Sequence, residues 1–421
     1  MSLRKIVSDL VANYWLIENK YCGVSSDYLF KKILSQGKEV SEDEIKIVLK
    51  SMEKENLFST REIESGDRSQ WVFENGQFKE IVEPGPHIDL WAYPKRKLLE
   101  KYDNSKVEDV GIYTKQLRLG GSQVEHRFFK RQVLDRYRED PRYDFSEYGS
   151  SGYFGIKDQF YLDENEPEKD KVSIQRFGYG YDSNGMGVVA VILVYLGGLS
   201  IKHQNYWRSF EIFERCKLDS DYVKTSFGAE ITDRISIYRA FSQELEEINK
   251  ICILINEPPL FRETYGEIAP RHFGRLTKPT QKQYNAFIHL LDKMISENLN
   301  KKFFKNKIEL KEELVTKDGK IKIIDKNTIR LLEEYLERNW RFPDPEPKDE
   351  MIRIFKKIRQ DRQAPAHRII DDKYDVQYFE KQNEVMIQAY RAIRTLRLIF
   401  QCFPKAKNYE APKWLDEGRI I

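Results

Sequence analysis

Several features that would place this chain of 421 residues in a known class at once are missing from it. Its four cysteines, Cys22, Cys216, Cys252 and Cys402, form no C-x-x-C pair, so neither a disulfide framework nor a cysteine-based zinc site is expected. No apolar run reaches the roughly 18 residues of a membrane span. The start lacks the apolar core and cleavage site of a signal peptide. The sequence therefore predicts a cytoplasmic protein without membrane contact.

Common catalytic motifs are missing as well. The histidines other than His367 are isolated and form neither H-x-x-x-H nor H-E-x-x-H, which argues against a metal site. They are His87, His126, His203, His272 and His289. No G-x-S-x-G sequence is present for an esterase-type serine. The glycines between 178 and 187 do not match a phosphate-binding loop, and a hairpin turn is the favoured interpretation. No metal and no cofactor is therefore predicted.

Charge is plentiful but unevenly distributed. Lys and Arg number 71 and Asp and Glu 68, for a net charge of +3. From Arg271 to the end, 33 basic residues face 23 acidic ones, a net charge of +10, whereas the rest of the chain carries −7. A basic C-terminal third fits a polyanionic partner such as nucleic acid. An ordinary fluctuation of charge between domains is the alternative.

The length predicts several domains, and we place them at 1–83, 84–270 and 271–421. The first contains helical patterns, one of which begins with a capping box at Ser41 and Glu44. A hairpin between 58–63 and 70–73 follows, and this order resembles a winged helix-turn-helix. The helix after Ser41 has slightly more acidic than basic residues, so contact with a protein or a spacer role is favoured over DNA binding.

The middle domain is predicted to be mixed α+β. Val124–Tyr137 has an amphipathic pattern that predicts a helix. Two strands are expected at 172–181 and 187–196, around a turn. The segment 199–210 contains His203, Gln204, Tyr206, Trp207 and Arg208. Such groups can hold a nucleotide base or anchor an interface, and the anchor is favoured.

The C-terminal domain is predicted to be a helical bundle, which makes the chain mainly α with an α+β middle. One helix begins at Thr280 and carries Asp292 and Glu297 on its exposed face. Helices at 327–340, 348–362 and 374–403 follow. The segment 298–325 is interpreted as a lysine-rich connection. Four helices of this length can form a bundle.

Arg362 and His367 stand where the third helix meets the connection to the fourth, in the sequence Arg362-Gln-Ala-Pro-Ala-His367. Histidine exchanges a proton near neutral pH, so it suits transfer to or from RNA oxygens. Arginine is permanently charged and forked, so it suits a phosphate in the transition state. The pair therefore indicates RNA cleavage without a metal, although a salt bridge at a helix end is an alternative interpretation.

Further residues could support this site. Gln363 lies inside the motif. Asp292 and Glu297 are five residues apart, a poor spacing for one helix face, so at best one of them, such as Asp292, could orient Arg362 or His367 from the first helix of the bundle. Three of four nearby arginines recur every third residue, which puts them on roughly one face of the last helix as a path for RNA. These arginines are Arg368, Arg391, Arg394 and Arg397.

The motif and its position resemble the HEPN family of ribonucleases, whose helical bundles carry R-x(4–6)-H near a late helix. In that family Asn, Asp or His usually follows the arginine, whereas this chain has Gln363. The resemblance implies an endoribonuclease with Arg362 and His367 as catalytic residues, 2′,3′-cyclic phosphate products, a homodimer and a role in antiviral defence or as a toxin. The middle domain would then receive a partner protein or an activating signal. The alternative is a non-enzymatic winged-helix regulator or scaffold whose bundle only dimerises.

Overall fold

The computed structural model describes residues 2–18, 20–65, 68–74, 77–83, 87–102, 110–227, 235–266, 269–315, 321–363, 371–417 and 420. About 51% of the chain is helical and 18% is in strands, and helices and sheets are mixed. The chain is therefore mainly α with a substantial β part, as the sequence predicted. It divides into two compact units. Unit 1 comprises 1–129, 155–177 and 190–213, and unit 2 comprises 130–154, 178–189 and 214–421.

The α-helices are α1 (Leu3–Leu16), α2 (Ser26–Ser35), α3 (Glu42–Lys54), α4 (Arg96–Leu99), α5 (Ile112–Arg118), α6 (Asp135–Glu139), α7 (Asp158–Tyr161), α8 (Leu193–Gly197), α9 (Ile201–Arg208), α10 (Ser220–Phe227), α11 (Ile237–Leu254), α12 (Gln281–Asp292), α13 (Lys301–Phe304), α14 (Thr328–Asn339), α15 (Glu346–Gln363), α16 (Gln377–Gln401) and α17 (Lys413–Asp416). The strands are β1 (Val24–Ser25), β2 (Phe58–Ser65), β3 (Arg68–Glu74), β4 (Gln77–Glu83), β5 (His87–Pro94), β6 (His126–Lys130), β7 (Tyr143–Tyr148), β8 (Ser151–Ile156), β9 (Ser173–Tyr181), β10 (Gly187–Ile192), β11 (Glu211–Ile212), β12 (Lys217–Leu218), β13 (Lys311–Val315) and β14 (Ile321–Asp325).

The first three helices of unit 1 form where the sequence predicted helical patterns. Each buries apolar residues spaced by three or four, such as Ile45, Leu49 and Met52 on α3. The capping box at the start of α3 is present: the Ser41 hydroxyl accepts from the Glu44 backbone, and the Glu44 carboxylate accepts from the Ser41 backbone. These helices share one core with residues of β2 and β5.

The predicted hairpin between 58–63 and 70–73 is wrong. β2 pairs antiparallel with β5, Phe58 opposite Pro94, while β3 pairs with β4. Phe58, Leu90 and Ala92 are buried, and the register of a strand is set by the residues it buries. The pairing of β2 therefore depends on core contacts with residues about thirty positions further along the chain. The winged-helix resemblance stays a prediction.

A seven-stranded sheet occupies the middle of the chain. Its order is β11-β6-β10-β9-β8-β7, and β12 pairs with β9. The predicted strand pair is confirmed as β9 and β10, although the second strand ends at Ile192 and is followed by α8. The predicted helix over Val124–Tyr137 is wrong, because this segment forms β6, a short 3-10 helix at Arg131–Leu134 and then α6. Adjacent aromatic residues favour a strand where neighbouring strands are available for pairing. β6 has such a neighbour on each side, β11 and β10.

The segment 199–210 is part of the core of unit 1. On α9, His203, Gln204 and Trp207 are buried. The Gln204 amide oxygen accepts from the backbone of Tyr113 at 2.9 Å, and Trp207 packs edge-on against Phe129 at 4.8 Å. These side chains are therefore packed inside unit 1, and the predicted role as the anchor of an interface stays a prediction.

A helical bundle forms most of unit 2. α16 packs against α11, α12 and α15, and α15 also packs against α12 and α14. One hydrophobic core joins these helices. The helices predicted after 280, 327, 348 and 374 are present, and Thr280 and Asn327 cap α12 and α14 through their side chains.

The predicted connection at 298–325 contains more structure than expected, because α13, β13 and β14 lie within it and the two strands pair antiparallel. The three-domain division at 83 and 270 stays a prediction. Among the described helices, none combines the length and the apolarity that crossing a membrane requires.

Candidate active site

Arg362 continues the apolar face of α15. Met351, Phe355 and Ile358 are buried in the bundle core, and Arg362 follows Ile358 by four residues, which keeps it on the same side of the helix. α15 packs against α12, so Arg362 reaches the C-terminal end of α12 with its side chain 27% exposed. The helix thus places a permanent positive charge where the core meets the surface.

Two carboxylates converge on this arginine. Its Nη1 donates to the Asp292 Oδ2 at 2.7 Å and also to the Glu297 Oε1. The Asp292 side chain is only 1% exposed, whereas that of Glu297 is 45% exposed. The other oxygen of Asp292 accepts from the Ser296 hydroxyl. The predicted contact between Asp292 and Arg362 is therefore present, but the expectation that Asp292 lies on an exposed face is wrong.

A π-helical turn explains how both carboxylates reach Arg362. Five residues separate Asp292 from Glu297, a poor spacing for one face of an α-helix. However, α12 continues into a π-helix over Lys293–Glu297. A π-helix bonds residues five apart, so positions with that spacing lie nearly above one another. This local widening converts two separated carboxylates into one binding group.

The ion pairs stabilise the charged forms of these groups. The hydrogen bond from Arg362 lowers the pKa of Glu297 below its ordinary value, in spite of partial burial. Hydrogen bonds to Asp292 and Glu297 raise the pKa of Arg362. The site therefore holds a charged guanidinium in a fixed position at any pH near neutrality.

Much of the guanidinium is still open to a ligand. Both carboxylates accept from Nη1 alone, and no acceptor for Nε or Nη2 lies among the residues that the structure describes. Nε and Nη2 form one edge of the planar guanidinium and can donate two parallel hydrogen bonds. A fork held from one side and open on the other can bind a phosphate oxygen.

Two of the predicted site residues, His367 and Arg368, lie outside the described residues. Gln363 is described and exposed, but it does not join Arg362. It lines a cavity of about 620 Å³ together with Lys356 and Arg359 of α15 and residues of α14. Neighbours on a helix point about 100° apart, which accounts for this separation. Gln363 therefore has no direct contact with the arginine and carboxylate group.

The predicted arginine path along α16 is interrupted. Arg391 is exposed, and Arg394 donates to the Asp416 backbone oxygen at 2.9 Å. Arg397, by contrast, is 0% exposed and donates to Glu244 and, at 2.7 Å, to Asp416. The expectation that Arg397 contacts RNA is wrong for this structure, because its side chain is enclosed and its charge is already paired.

Comparisons with models of known protein families, with curated protein sequences and with solved structures found no match to this chain. The geometry of the residues themselves therefore carries the functional argument. Glu297 joins Asp292 at Arg362, whereas the sequence predicted that at best one of the two would support the site. The π-helical turn brings Glu297 to Arg362, and residue spacing does not reveal this turn.

Proposed function

We propose that this protein is a metal-independent endoribonuclease of the HEPN type, with Arg362 and His367 as its catalytic residues. One observation carries the proposal: Arg362 is fixed by two carboxylates through a single nitrogen at the edge of a helical bundle, with the rest of its guanidinium open. Residue His367 follows five positions later in the chain. The predicted role of Asp292 is to position Arg362.

The proposed chemistry needs no added water or metal. The RNA 2′-hydroxyl attacks the neighbouring phosphorus, and the bond to the 5′-oxygen breaks. His367 takes the proton from the 2′-hydroxyl, and the imidazolium that forms gives a proton to the leaving 5′-oxygen, so no proton is gained or lost overall. Arg362 binds the phosphate oxygens as their charge increases. The products are a 2′,3′-cyclic phosphate and a 5′-hydroxyl.

The charge around Arg362 supports a role for further cations. Two carboxylates and one guanidinium leave the group with a net negative charge, which opposes an incoming phosphate. We propose that Arg368 and Arg391 supply part of the missing positive charge. A second copy of the chain would supply the rest, which fits the homodimer that the family resemblance implies, and a defence or toxin role follows from the same resemblance.

The proposal is tested by RNA cleavage with purified full-length protein in EDTA. We expect His367→Ala and Arg362→Ala each to reduce cleavage of total cellular RNA by at least about 100-fold. Arg359→Ala is the matched control, because it removes an arginine from the same helix without touching the carboxylates, and it should cut like the wild type. Intact cleavage by the Arg362→Ala, His367→Ala double variant would contradict the proposal.

The alternative is a non-enzymatic interaction protein, and one observation favours it: the contacts of Arg362 also make a sound structural ion pair. In that case Arg362→Ala lowers the melting temperature, because it leaves Asp292 buried and unpaired, and the wild type has no activity to lose. The loss of this ion pair lowers the melting temperature in both cases, so cleavage of RNA by the wild type is the measurement that separates the two functions.

A further inference from the structure

A second group of arginines lies in unit 2, away from Arg362. Arg131, Arg138 and Arg275 surround Tyr179, and we call them the arginine cluster. Arg138 donates to Glu147 at 2.7 Å and to the Arg275 backbone oxygen at 2.8 Å. Within the described part of the chain, neither Arg131 nor Arg275 forms an ion pair. Of the three guanidinium groups, only that of Arg138 is paired with a carboxylate among the described residues.

Arg131 is the least satisfied member. Its guanidinium lies 5.7 Å from the ring centre of Tyr179 and 5.2 Å from that of Phe379. Its Nε is buried without a hydrogen-bond partner, and the described residues offer no acceptor to the rest of the group. Gly187 leaves it room, since a Cβ there would stand 1.6 Å from the Arg131 Nη2. The fold therefore makes space for a charge that it does not neutralise.

Electrostatics gives the same result. Burial, and next the positive charge of Arg275, lower the pKa of Arg131 from its ordinary value. A buried donor without an acceptor normally costs stability and calls for a bound ion or another explanation. An anion beside Arg275 would relieve the repulsion between these guanidinium groups.

A cavity of about 510 Å³ is lined by Arg138 and Arg275, whereas Arg131 is not among its lining residues. Lys278, Lys282 and the carboxylates of Asp135, Glu139 and Asp372 also line it. Asp372 accepts from the backbone of Lys282 at 2.8 Å, and Glu139 lies 3.8 Å from His272. Lys278 is paired with Asp135 at 2.6 Å. Lys282 is exposed, and no ion pair of its side chain occurs among the described residues. Arg275 spends one donor on the Gly149 backbone oxygen, at 2.8 Å. Arg275 and Lys282 are therefore the free cations of the cavity.

We propose that this cavity binds a small phosphate-bearing molecule, with Arg275 and Lys282 contacting the phosphate and Arg131 adding positive charge behind them. Pockets for small molecules commonly hold about 300–1,000 Å³, which fits one nucleotide-sized ligand. A forked guanidinium matches phosphate geometry. Both cations line one cavity of this volume, which favours a small ligand over an RNA strand. This site shares no residue with the Arg362 site, so it stands whether or not the protein cuts RNA.

The test is calorimetric titration of the full-length protein with pyrophosphate and with AMP, at constant ionic strength. We expect saturable binding to the wild type and at least tenfold weaker binding to Lys282→Ala. Lys302→Ala is the matched control, because Lys302 is also an exposed lysine in the first turn of a helix. It should bind like the wild type. No binding by the wild type, or equal binding by the two lysine variants, would overturn the proposal.

Arg131→Met separates ligand binding from structure. We expect it to weaken binding at least tenfold and to leave the melting temperature of the ligand-free protein unchanged or higher, because it removes an unpaired charge. A lower melting temperature without ligand would show that Arg131 is structural and would overturn its assigned role. Tighter binding of a single-stranded RNA oligonucleotide than of AMP at this cavity, lost in Lys282→Ala, would overturn the small-molecule assignment.

Discussion

At the residue scale, the position of Arg362 depends on a carboxylate that water hardly reaches. A buried carboxylate is costly unless it is paired and hydrogen-bonded, and Asp292 meets both conditions through Arg362 and Ser296. The same contacts fix the guanidinium. The arginine is therefore preorganised before any phosphate arrives, which is the condition under which a positive charge contributes most to catalysis.

Asp292→Asn tests this positioning role. The amide keeps the shape of the side chain but loses its charge, so Arg362 is held less firmly. We expect the maximal rate of RNA cleavage to fall roughly 10- to 100-fold, the equivalent of one charge-assisted hydrogen bond, with little change in the RNA concentration at half-maximal rate. Glu297→Gln is the control and should lose less, because Glu297 is 45% exposed. A changed half-saturating concentration at an unchanged maximal rate would contradict the positioning role.

Residue types and spacing predicted part of this site. They selected Arg362 and suggested Asp292 as its support. They missed the convergence of Asp292 and Glu297, because it depends on a π-helical turn. They also misplaced Arg397, because three arginines spaced by three resemble a solvated stripe. The buried ion-pair partner of Arg397 is Glu244, which is far away in the sequence.

At the element scale, one ion pair ties α11 to α16. Glu244 and Arg397 are both fully buried, and Asp416 from α17 adds a second acceptor to Arg397. Burial raises the pKa of Glu244, and the charge of Arg397 opposes this shift. Such a pair sets the alignment of two helices that otherwise contact each other through apolar residues.

Replacing one partner of this pair should cost much more than replacing both. Arg397→Met leaves Glu244 buried without a partner, and we expect the free energy of unfolding to fall by about 3–5 kcal/mol. Adding Glu244→Gln should restore a large part of it, because the neutral amide carries no unpaired charge. Urea denaturation followed by circular dichroism measures both. A single variant as stable as the wild type would contradict the buried pairing.

Long helices were predictable because caps and apolar spacing are local signals. α3, α12 and α14 begin at the capping residues that the sequence indicated. Strand partners were not predictable from local signals. For example, β2 pairs with β5 and not with β3, which is nearer in the sequence. The sequence predicted a helix at β6, because over so short a segment its aromatic and basic residues fit both the helical and the strand periodicity.

At the scale of the whole molecule, the basic C-terminal third is less basic at its surface than its composition suggests. It carries a net charge of +10, but Arg397 is buried in an ion pair with Glu244, which lies outside this third. The proposed attraction of RNA would therefore depend on a few residues rather than on a general field. The arginine cluster draws its charge from residues on both sides of the basic third's boundary, which composition alone did not reveal.

The central claim is that this protein cleaves RNA by attack of the RNA's own 2′-hydroxyl. The chemistry of the 3′ ends of the fragments tests this claim most directly. Purified wild-type protein is incubated in EDTA with total RNA and with a tRNA pool, and the fragment ends are analysed chemically. The proposed function predicts 2′,3′-cyclic phosphate ends that are missing with His367→Ala. Fragments with 3′-hydroxyl ends, or RNA left intact by the wild type, would contradict it.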